Sequence, residues 1–203
     1  LTATSVLLVR QGYIRTSSER YDLEDLSDEL VHLTNDAVQK KGDNYGKYEP
    51  ANKLSYSQFQ RYLDNTHPHK HYNLETQILQ KMKEITTDLV RASFQFIDPQ
   101  RKGKLQLYGL DFYVSSKFKP YLIECNANPC LEVNCPILER IIPGAIEHAL
   151  RIGLDPLLPP PTHYPPSARY QLCDKVIEKL KYELIFDEKV EGAEIREKTR
   201  RAK

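Results

Sequence analysis

The sequence predicts an α+β fold of mainly antiparallel strands flanked by helices. Residues 110–114 and 121–126 have the composition of strands, and the short polar segment between them is typical of a hairpin loop. Residues 74–96 place an apolar side chain at every third or fourth position, which predicts a long amphipathic helix. Residues 136–150 predict a second amphipathic helix, interrupted or begun anew at Pro143.

The amino-terminal part of the chain predicts further strands and one short helix. Residues 6–9 and 13–16 are separated by a turn that contains glycine, and we expect them to form a β-hairpin. Residues 31–39 are expected to form another strand. Ser55 and Gln58 have the spacing of a capping box, so a helix is expected to begin there.

The carboxyl-terminal part changes in composition. Residues 159–166 are rich in proline, which predicts a stiff extended linker after a domain of residues 1–158. Residues 167–203 are expected to form a helical tail with a basic, frayed end.

The composition argues against several classes of protein. With 29 basic and 28 acidic residues among 203, the chain is nearly neutral, unlike a general nucleic-acid-binding domain. No apolar run approaches the ~20 residues of a membrane span, and the start does not resemble a secretory signal. The four cysteines fit no CxxC zinc pattern, so we expect free thiols in the cytosol.

A cluster of oxygen ligands is predicted in the hairpin. If Val114 pairs with Tyr121, then Asp111 lies opposite Glu124, and Asn126 shares their face. Carboxylates opposed at roughly 5 Å between Cβ atoms destabilise a sheet unless a cation lies between them. Two carboxylates and an amide suit Mg²⁺ that shares its ligands with a polyphosphate. The pattern therefore predicts a metal site, with solvated surface carboxylates as the alternative.

The same register predicts an apolar face on the other side of the hairpin. Its members would be Phe112, Val114, Tyr121 and Ile123. The apolar phase shifts near Gly109, so we expect a β-bulge at Gly109 that orients Asp111.

Other polar positions have both a functional and a structural interpretation. The planar guanidinium of Arg15 would suit phosphate or carboxylate oxygens, but it could equally be a surface group. Asn35 could contact a ligand or satisfy the edge of a sheet. A local basic face that attracts an acidic partner could consist of Lys40, Lys41, Lys47 and Lys53.

Five segments together resemble the tubulin–tyrosine ligase family. They are residues 11–21, 32–35 (His-Leu-Thr-Asn), 44–49 (Asn-Tyr-Gly-Lys-Tyr-Glu), 108–112 (Tyr-Gly-Leu-Asp-Phe) and 122–129 (Leu-Ile-Glu-Cys-Asn-Ala-Asn-Pro). They occur in the order of the family, over roughly Val6 to Pro161.

The resemblance implies an ATP-grasp-like fold, of which residues 1–158 are the C-terminal portion, followed by a C-terminal helix. It implies a ligase that uses ATP and Mg²⁺. Carried over position by position, the Mg²⁺ ligands are Asp111, Glu124 and Asn126. The nucleotide-binding residues are Thr34, Asn35, Asp111 and Glu124. Arg15 matches a catalytic arginine near the terminal phosphate and the acceptor carboxylate.

The upstream half of the family's catalytic domain has no counterpart in this sequence. That half supplies lysines and backbone groups that hold adenine and the phosphates. We therefore expect the chain to be a fragment that binds ATP weakly and is inactive alone, with activity in the full-length protein.

The resemblance also implies partners. These are a tubulin C-terminal tail and a free amino acid, in the cytoplasm and at the cytoskeleton, with a cilium or flagellum also open. No nucleic acid or membrane is implied, and a monomer is expected. Residues 15–18 and 44–49 favour tyrosine as the added amino acid. Two alternatives stay open: a polyglutamylase or glycylase of the same family, and a truncated, inactive module that binds tubulin tails.

Overall fold

The computed structural model describes residues 3–97, 104–159, 161 and 181–201. Within these ranges the fold is α+β, as predicted, with three two-stranded antiparallel sheets. The chain divides into two compact units. The first unit comprises Leu1–Arg10, Glu75–Cys130 and Ala145–Lys203, and the second comprises Gln11–Leu74 and Leu131–Gly144. None of the helices in the described ranges is long and apolar enough to cross a membrane.

Strands and helices are numbered here in chain order. The strands are β1 (Ser5–Val9), β2 (Tyr13–Arg15), β3 (Lys53–Ser55), β4 (Gly109–Val114), β5 (Pro120–Asn126) and β6 (Tyr182–Asp187). The α-helices are α1 (Glu29–His32), α2 (Asp36–Gln39), α3 (Tyr56–Thr66), α4 (Gln80–Ser93), α5 (Pro136–Gly153) and α6 (Ala193–Arg201). Single turns of 3-10 helix are Pro50–Asn52 and Phe94–Phe96, and π-helical turns are Glu75–Leu79 and Glu188–Gly192.

In the first unit, β1 pairs with β6 instead of β2. The predicted hairpin of residues 6–9 and 13–16 is therefore wrong, and its two halves belong to different units. Leu7 and Val9 pack against the buried side chains of Tyr182 and Ile152. Pairing with this distant apolar strand half-buries β1 and removes apolar side chains such as Leu7 and Val9 from water.

The predicted helical tail over residues 167–203 also needs correction. Tyr182–Asp187 form β6, because Leu184 and Phe186 pair with Leu7 and Val6 of β1, with Ile185 as an extra residue between them. Residues 188–201 are helical and include α6, so the basic end that was expected to fray is part of a helix up to Arg201. Residues 162–180, which include most of the predicted linker and the start of the tail, lie outside the described residues.

Two aromatic rings form the centre of packing between α4, β6 and α6. Phe94 is 0% exposed and Phe186 is 1% exposed, with ring centroids 4.8 Å apart. The guanidinium carbon of Arg196 lies 4.3 Å from the centroid of Phe94, a cation–π contact. Phe96, expected on the buried stripe, is 81% exposed. The 3-10 turn at Phe94–Phe96 changes the helical phase there and buries Phe94 instead.

In the second unit, β2 pairs with β3, and the first half of α5 supplies apolar core. The buried members of this cluster are Cys135, Ile137, Leu138 and Ile141, with Tyr13 packed against them. α5 runs through Pro143 as one helix, so it does not begin anew there. The predicted capping box is confirmed: the Ser55 side chain accepts from the Gln58 amide, and the Gln58 side chain accepts from the Ser55 amide.

The strand predicted for residues 31–39 is wrong, because this segment forms parts of two short helices. The side chain of Asp28 accepts a hydrogen bond from the amide of Leu30, and that of Asn35 accepts from the amide of Val38. Both are N-cap bonds, which satisfy helical amides without a neighbouring strand. Asn35 thus begins α2.

Replacing Phe186 with Ala should destabilise the fold by about 3–5 kcal/mol, since it removes a fully buried ring from its contact with Phe94. Chemical denaturation of the chain measures this change. Val190→Ala is the control, because Val190 follows β6 closely but is 83% exposed. Equal stability of the two variants would contradict the integration of β6 into the first unit.

Candidate functional site

The hairpin of β4 and β5 brings the three predicted oxygen ligands together in the first unit. Asp111 pairs directly with Glu124, as predicted, and Gly109 pairs with Asn126. Residues that oppose each other in an antiparallel pair share a face, so the two carboxylates and Asn126 lie on one side. Nδ2 of Asn126 donates to Oε1 of Glu124 at 3.1 Å. Oδ1 is then the amide atom of Asn126 that could coordinate a cation.

The chemistry of this donor set fits a hard divalent cation. Among the described residues, no group of three or more His, Cys, Asp or Glu side chains could hold a metal. A cation here would therefore be held by two carboxylates and one amide oxygen. Mg²⁺ in phosphoryl-transfer sites commonly takes one or two carboxylates and fills its remaining positions with phosphate oxygens and water.

Past Asp111 the register differs from the prediction. Phe112 pairs with Leu122, so Ile123 is an additional residue in β5 and forms a β-bulge. The predicted bulge at Gly109 is wrong, since the register shift lies between Asp111 and Phe112. The irregularity is nevertheless adjacent to the acidic pair. It increases the local twist directly beside the two carboxylates.

The bulge also overturns the predicted apolar face of Phe112, Val114, Tyr121 and Ile123. Ile123 is 67% exposed, and Tyr121 is exposed opposite Tyr113. Val114 pairs with the buried Pro120 instead of Tyr121. One extra residue reverses which side chains face the core, so the prediction failed beyond the bulge.

Gly109 determines the position of the loop after β5. A Cβ atom at Gly109 would lie 2.9 Å from Cβ of Pro129 and 3.9 Å from Cβ of Asn126. Gln106 holds the same loop through a hydrogen bond from its Nε2 to the carbonyl oxygen of Ala127, at 2.5 Å. A side chain at residue 109 would therefore displace the loop that follows Asn126.

In the second unit, Arg15 lies on β2 opposite Lys53 of β3. The Lys53 side chain is only 3% exposed, and its Nζ donates to Oδ1 of Asp36 at 2.7 Å and to the carbonyl oxygen of Ala51 at 3.1 Å. Lys53 therefore does not belong to the predicted basic face, although Lys40, Lys41 and Lys47 are exposed. A buried ammonium requires this anionic partner.

Asp36 is the anion that holds Lys53. Its Oδ2 accepts a hydrogen bond from Nδ2 of Asn134 at 2.9 Å. Burial alone would raise the pKa of Asp36, but hydrogen bonds from Lys53 and Asn134 and the charges of Lys53 and Lys40 outweigh it and lower the pKa. Asp36 is thus ionised and joins α2, β3 and the segment before α5.

The other predicted nucleotide contacts lie at the turn before α2. Asn35 is exposed and Thr34 is half-buried. Oδ1 of Asn35 accepts from the Val38 amide at 3.1 Å, which gives this residue a structural role as N-cap. Contact of Thr34 and Asn35 with a nucleotide stays a prediction, as does the catalytic role of Arg15.

The structure thus groups the predicted site residues by unit. The first unit holds Asp111, Glu124 and Asn126, and the second holds Arg15, Thr34 and Asn35. Sequence reasoning missed the buried polar residues beside the second group, above all Gln39, Asn52 and the Asp36–Lys53 pair. The only signal was the abundance of polar residues in a segment that we interpreted as strand and loop.

Gly109→Ala should distort the loop after β5, because the ring of Pro129 cannot move away from the added methyl without moving its backbone. We expect a loss of stability of about 1–3 kcal/mol in chemical denaturation. Gly144→Ala is the control: nothing lies within 4 Å of an added Cβ there, and alanine favours its helix. A Gly109→Ala protein as stable as wild type would show that the loop position does not depend on glycine.

Asp36→Asn should destabilise the chain on the order of 3 kcal/mol at neutral pH, since it leaves the Lys53 ammonium buried without an anion. The folded-state pKa of Asp36 lies below its ordinary 3.8. Its contribution is therefore complete above about pH 4 and is lost as the pH falls through the lowered pKa.

The measurement is the difference in free energy of unfolding between wild type and Asp36→Asn as a function of pH. It should be constant near neutrality and shrink below about pH 4. Asp43→Asn, which removes an exposed carboxylate of the second unit, is the control and should have little effect. A difference that grows on acidification would contradict the assignment.

Comparison with known proteins gives a consistent result. The model of the tubulin-tyrosine ligase family matches residues 2–164. The chain is 30% identical to tubulin glycylase 3B of Tetrahymena thermophila over 147 aligned residues. The aligned region covers 70% of the chain and 12% of that protein. It is 30% identical to human tubulin monoglycylase TTLL3 over 158 aligned residues. This alignment covers 76% of the chain and 20% of that protein.

A third relative is described as inactive. The chain is 28% identical to human inactive polyglycylase TTLL10 over 157 aligned residues, and the alignment covers 76% of the chain and 23% of that protein. The chain therefore spans between 12% and 23% of the length of these relatives. Because the family model matches most of its residues, the chain belongs to the tubulin-tyrosine ligase family.

Proposed function

We propose that this chain is the C-terminal part of the catalytic domain of an ATP-dependent ligase that adds glycine to a carboxylate of a tubulin tail. The observation that carries the proposal is the pairing of Asp111 with Glu124, with Asn126 on the same face. This arrangement is unfavourable without a cation and suits one that also binds phosphate oxygens. The acceptor implies a place at the cytoskeleton in the cytoplasm.

In the proposed reaction, the acceptor carboxylate attacks the γ-phosphate of ATP and forms an acyl phosphate and ADP. The amino group of the incoming amino acid then attacks the acyl carbon, and phosphate leaves as the amide bond forms. Mg²⁺, when bound, neutralises charge on the phosphate oxygens. Catalysis of this kind consists mainly of positioning and electrostatic stabilisation.

Each group of residues has a separate task in this scheme. Asp111, Glu124 and Asn126 hold the cation, and Asp111 and Glu124 border the nucleotide. Thr34 and Asn35 contact the nucleotide from the turn before α2. Arg15 orients the terminal phosphate and the acceptor carboxylate, for which a planar guanidinium is well suited.

Glycine replaces tyrosine as the preferred amino acid. The resemblance of short segments had favoured tyrosine, but the curated relatives above are named as glycylases. These matches extend over 147 and 158 residues, far more than the segments on which the preference for tyrosine was based.

The alternative is an inactive member of the family that binds tubulin tails. The human relative named an inactive polyglycylase favours it. Calorimetric titration of the full-length protein with ATP, with and without Mg²⁺, separates the two. The ligase should bind ATP in a Mg²⁺-dependent way, whereas the inactive module should not.

The activity is tested with full-length protein, purified tubulin, MgATP and radiolabelled glycine, glutamate or tyrosine. We expect incorporation of glycine alone. Asp111→Asn or Glu124→Gln should lower kcat roughly 100- to 1,000-fold, as expected when one preorganised electrostatic group is lost. Asp88→Asn, an exposed carboxylate on α4, is the control and should leave kcat unchanged.

The outcomes distinguish the candidates. Incorporation of glutamate or tyrosine instead of glycine would reject the amino-acid assignment but keep the ligase. Full activity of Asp111→Asn and Glu124→Gln would reject the metal site.

A further inference from the structure

We infer that Gln39 is a positioning residue of the ligase: its buried side-chain amide fixes the backbone beside Arg15 to the turn that carries Thr34 and Asn35. The inference rests on the proposed function and extends it to a residue outside the candidate site. Gln39 contacts none of the reacting groups in this assignment. It acts through the segments that it holds.

The amide of Gln39 is fully buried and fully hydrogen-bonded. Its side chain is 0% exposed. Nε2 donates to the carbonyl oxygens of Leu30 at 2.9 Å and Leu33 at 2.7 Å. Oε1 accepts from the amide of Ser18 at 2.8 Å and from Nδ2 of Asn52 at 3.2 Å. Two donors and two acceptor positions are the whole capacity of a glutamine amide.

These four bonds join the segments that carry the candidate residues of the second unit. Leu33 directly precedes Thr34, and Asn35 caps the helix on which Gln39 itself lies. Ser18 follows Arg15 by three residues on the chain leaving β2. The Gln39 side chain therefore links the Thr34–Asn35 turn to the chain that leaves the Arg15 strand.

Asn52 extends the same network. Its Nδ2 shares two hydrogens among Oε1 of Gln39, the carbonyl oxygen of Thr16 at 3.3 Å and Oγ of Ser18 at 2.7 Å. Its Oδ1 accepts from the amide of Gly46 at 2.7 Å. Its backbone has φ of +51°, a left-handed conformation in which asparagine is favoured over most residues. Asn52 thus also holds the backbone of Thr16, the residue that follows Arg15.

A network in which each amide group is paired permits only one arrangement, because any shift leaves a buried polar group without a partner. Its core members are Gln39, Asn52 and Ser18, exposed by 0%, 4% and 6%. The side chains that bind and orient the substrates of a phosphoryl transfer must be held to within a fraction of an ångström. A displacement of 1 Å can cost about 100-fold in rate.

The test is Gln39→Glu in the full-length protein. Glutamate has nearly the same shape but loses the two N–H groups that face the carbonyl oxygens of Leu30 and Leu33. We expect KM for MgATP to rise and kcat to fall by about 10- to 100-fold, because the Thr34–Asn35 turn and Arg15 no longer share one geometry. KM for glycine should change less than twofold. General loss of folded enzyme would lower kcat and leave both KM values unchanged.

Gln60→Glu is the matched control. Nε2 of Gln60 donates to the carbonyl oxygen of Tyr72 at 2.6 Å, and its Oε1 accepts from the amide of Leu74 at 2.8 Å. Gln60 therefore also links two segments of the second unit, α3 and the chain at Tyr72–Leu74. It contacts no segment that carries a candidate residue. Its replacement should lower the melting temperature without raising KM for MgATP.

If Gln39→Glu does not fold, Gln39→Met decides, since it keeps the length of the side chain and adds no charge but removes all four hydrogen bonds. A rise in KM for MgATP of a few fold supports the inference, and an unchanged KM overturns it. An unchanged KM in Gln39→Glu, or an equal rise in Gln60→Glu, also overturns it. Absence of ligase activity and of MgATP binding in the wild type would instead reject the proposed function.

Discussion

The central constraint of this structure is the direct opposition of Asp111 and Glu124 across β4 and β5. Like charges at this distance repel, so a register that creates the pair must be determined by other contacts. In this hairpin, the register is determined by the β-bulge at Ile123 and by the close approach of Gly109 to Pro129. The hairpin therefore keeps the two carboxylates together, and a cation would convert their repulsion into binding.

The second unit holds its candidate residues with buried polar groups. Lys53 is buried beside Asp36, and the amides of Gln39 and Asn52 are enclosed nearby. Burial of such groups is costly unless all are paired, and here pairing links α2, β3 and the chain after β2. Full pairing of these buried groups fixes how the segments lie against one another, because a shift would leave a polar group without a partner.

Local patterns allowed some of these features to be predicted from the sequence. The helix after Ser55 follows from its capping box. The pairing of Asp111 with Glu124 was predicted from Val114 opposite Tyr121; Val114 pairs with Pro120 instead, and the extra residue Ile123 restores the predicted acidic pair. One other feature had no local signal, since the bulge depends on one extra residue that composition does not reveal. Residues 31–39 did carry a local signal, the N-cap residues Asp28 and Asn35, but the segment was interpreted as a strand.

Burial of polar residues was the other feature that the sequence did not reveal. Lys53 and Gln39 are residue types that usually lie on the surface, so only the tertiary contacts show that they are enclosed. The Asp111–Glu124–Asn126 cluster was found because its members are close in sequence across one hairpin. The Gln39 network joins four segments, and no single window of the sequence contains it.

The pairing of β1 with β6 has a consequence for how the protein is made. Ser5 lies opposite Asp187, so this sheet joins segments separated by almost the whole chain. On the ribosome, β1 is synthesised well before β6 and must wait for its partner until the intervening residues have been made. Such long-range pairing slows folding, and the exposed edge of the waiting strand is a site where chaperones or other nascent chains can attach.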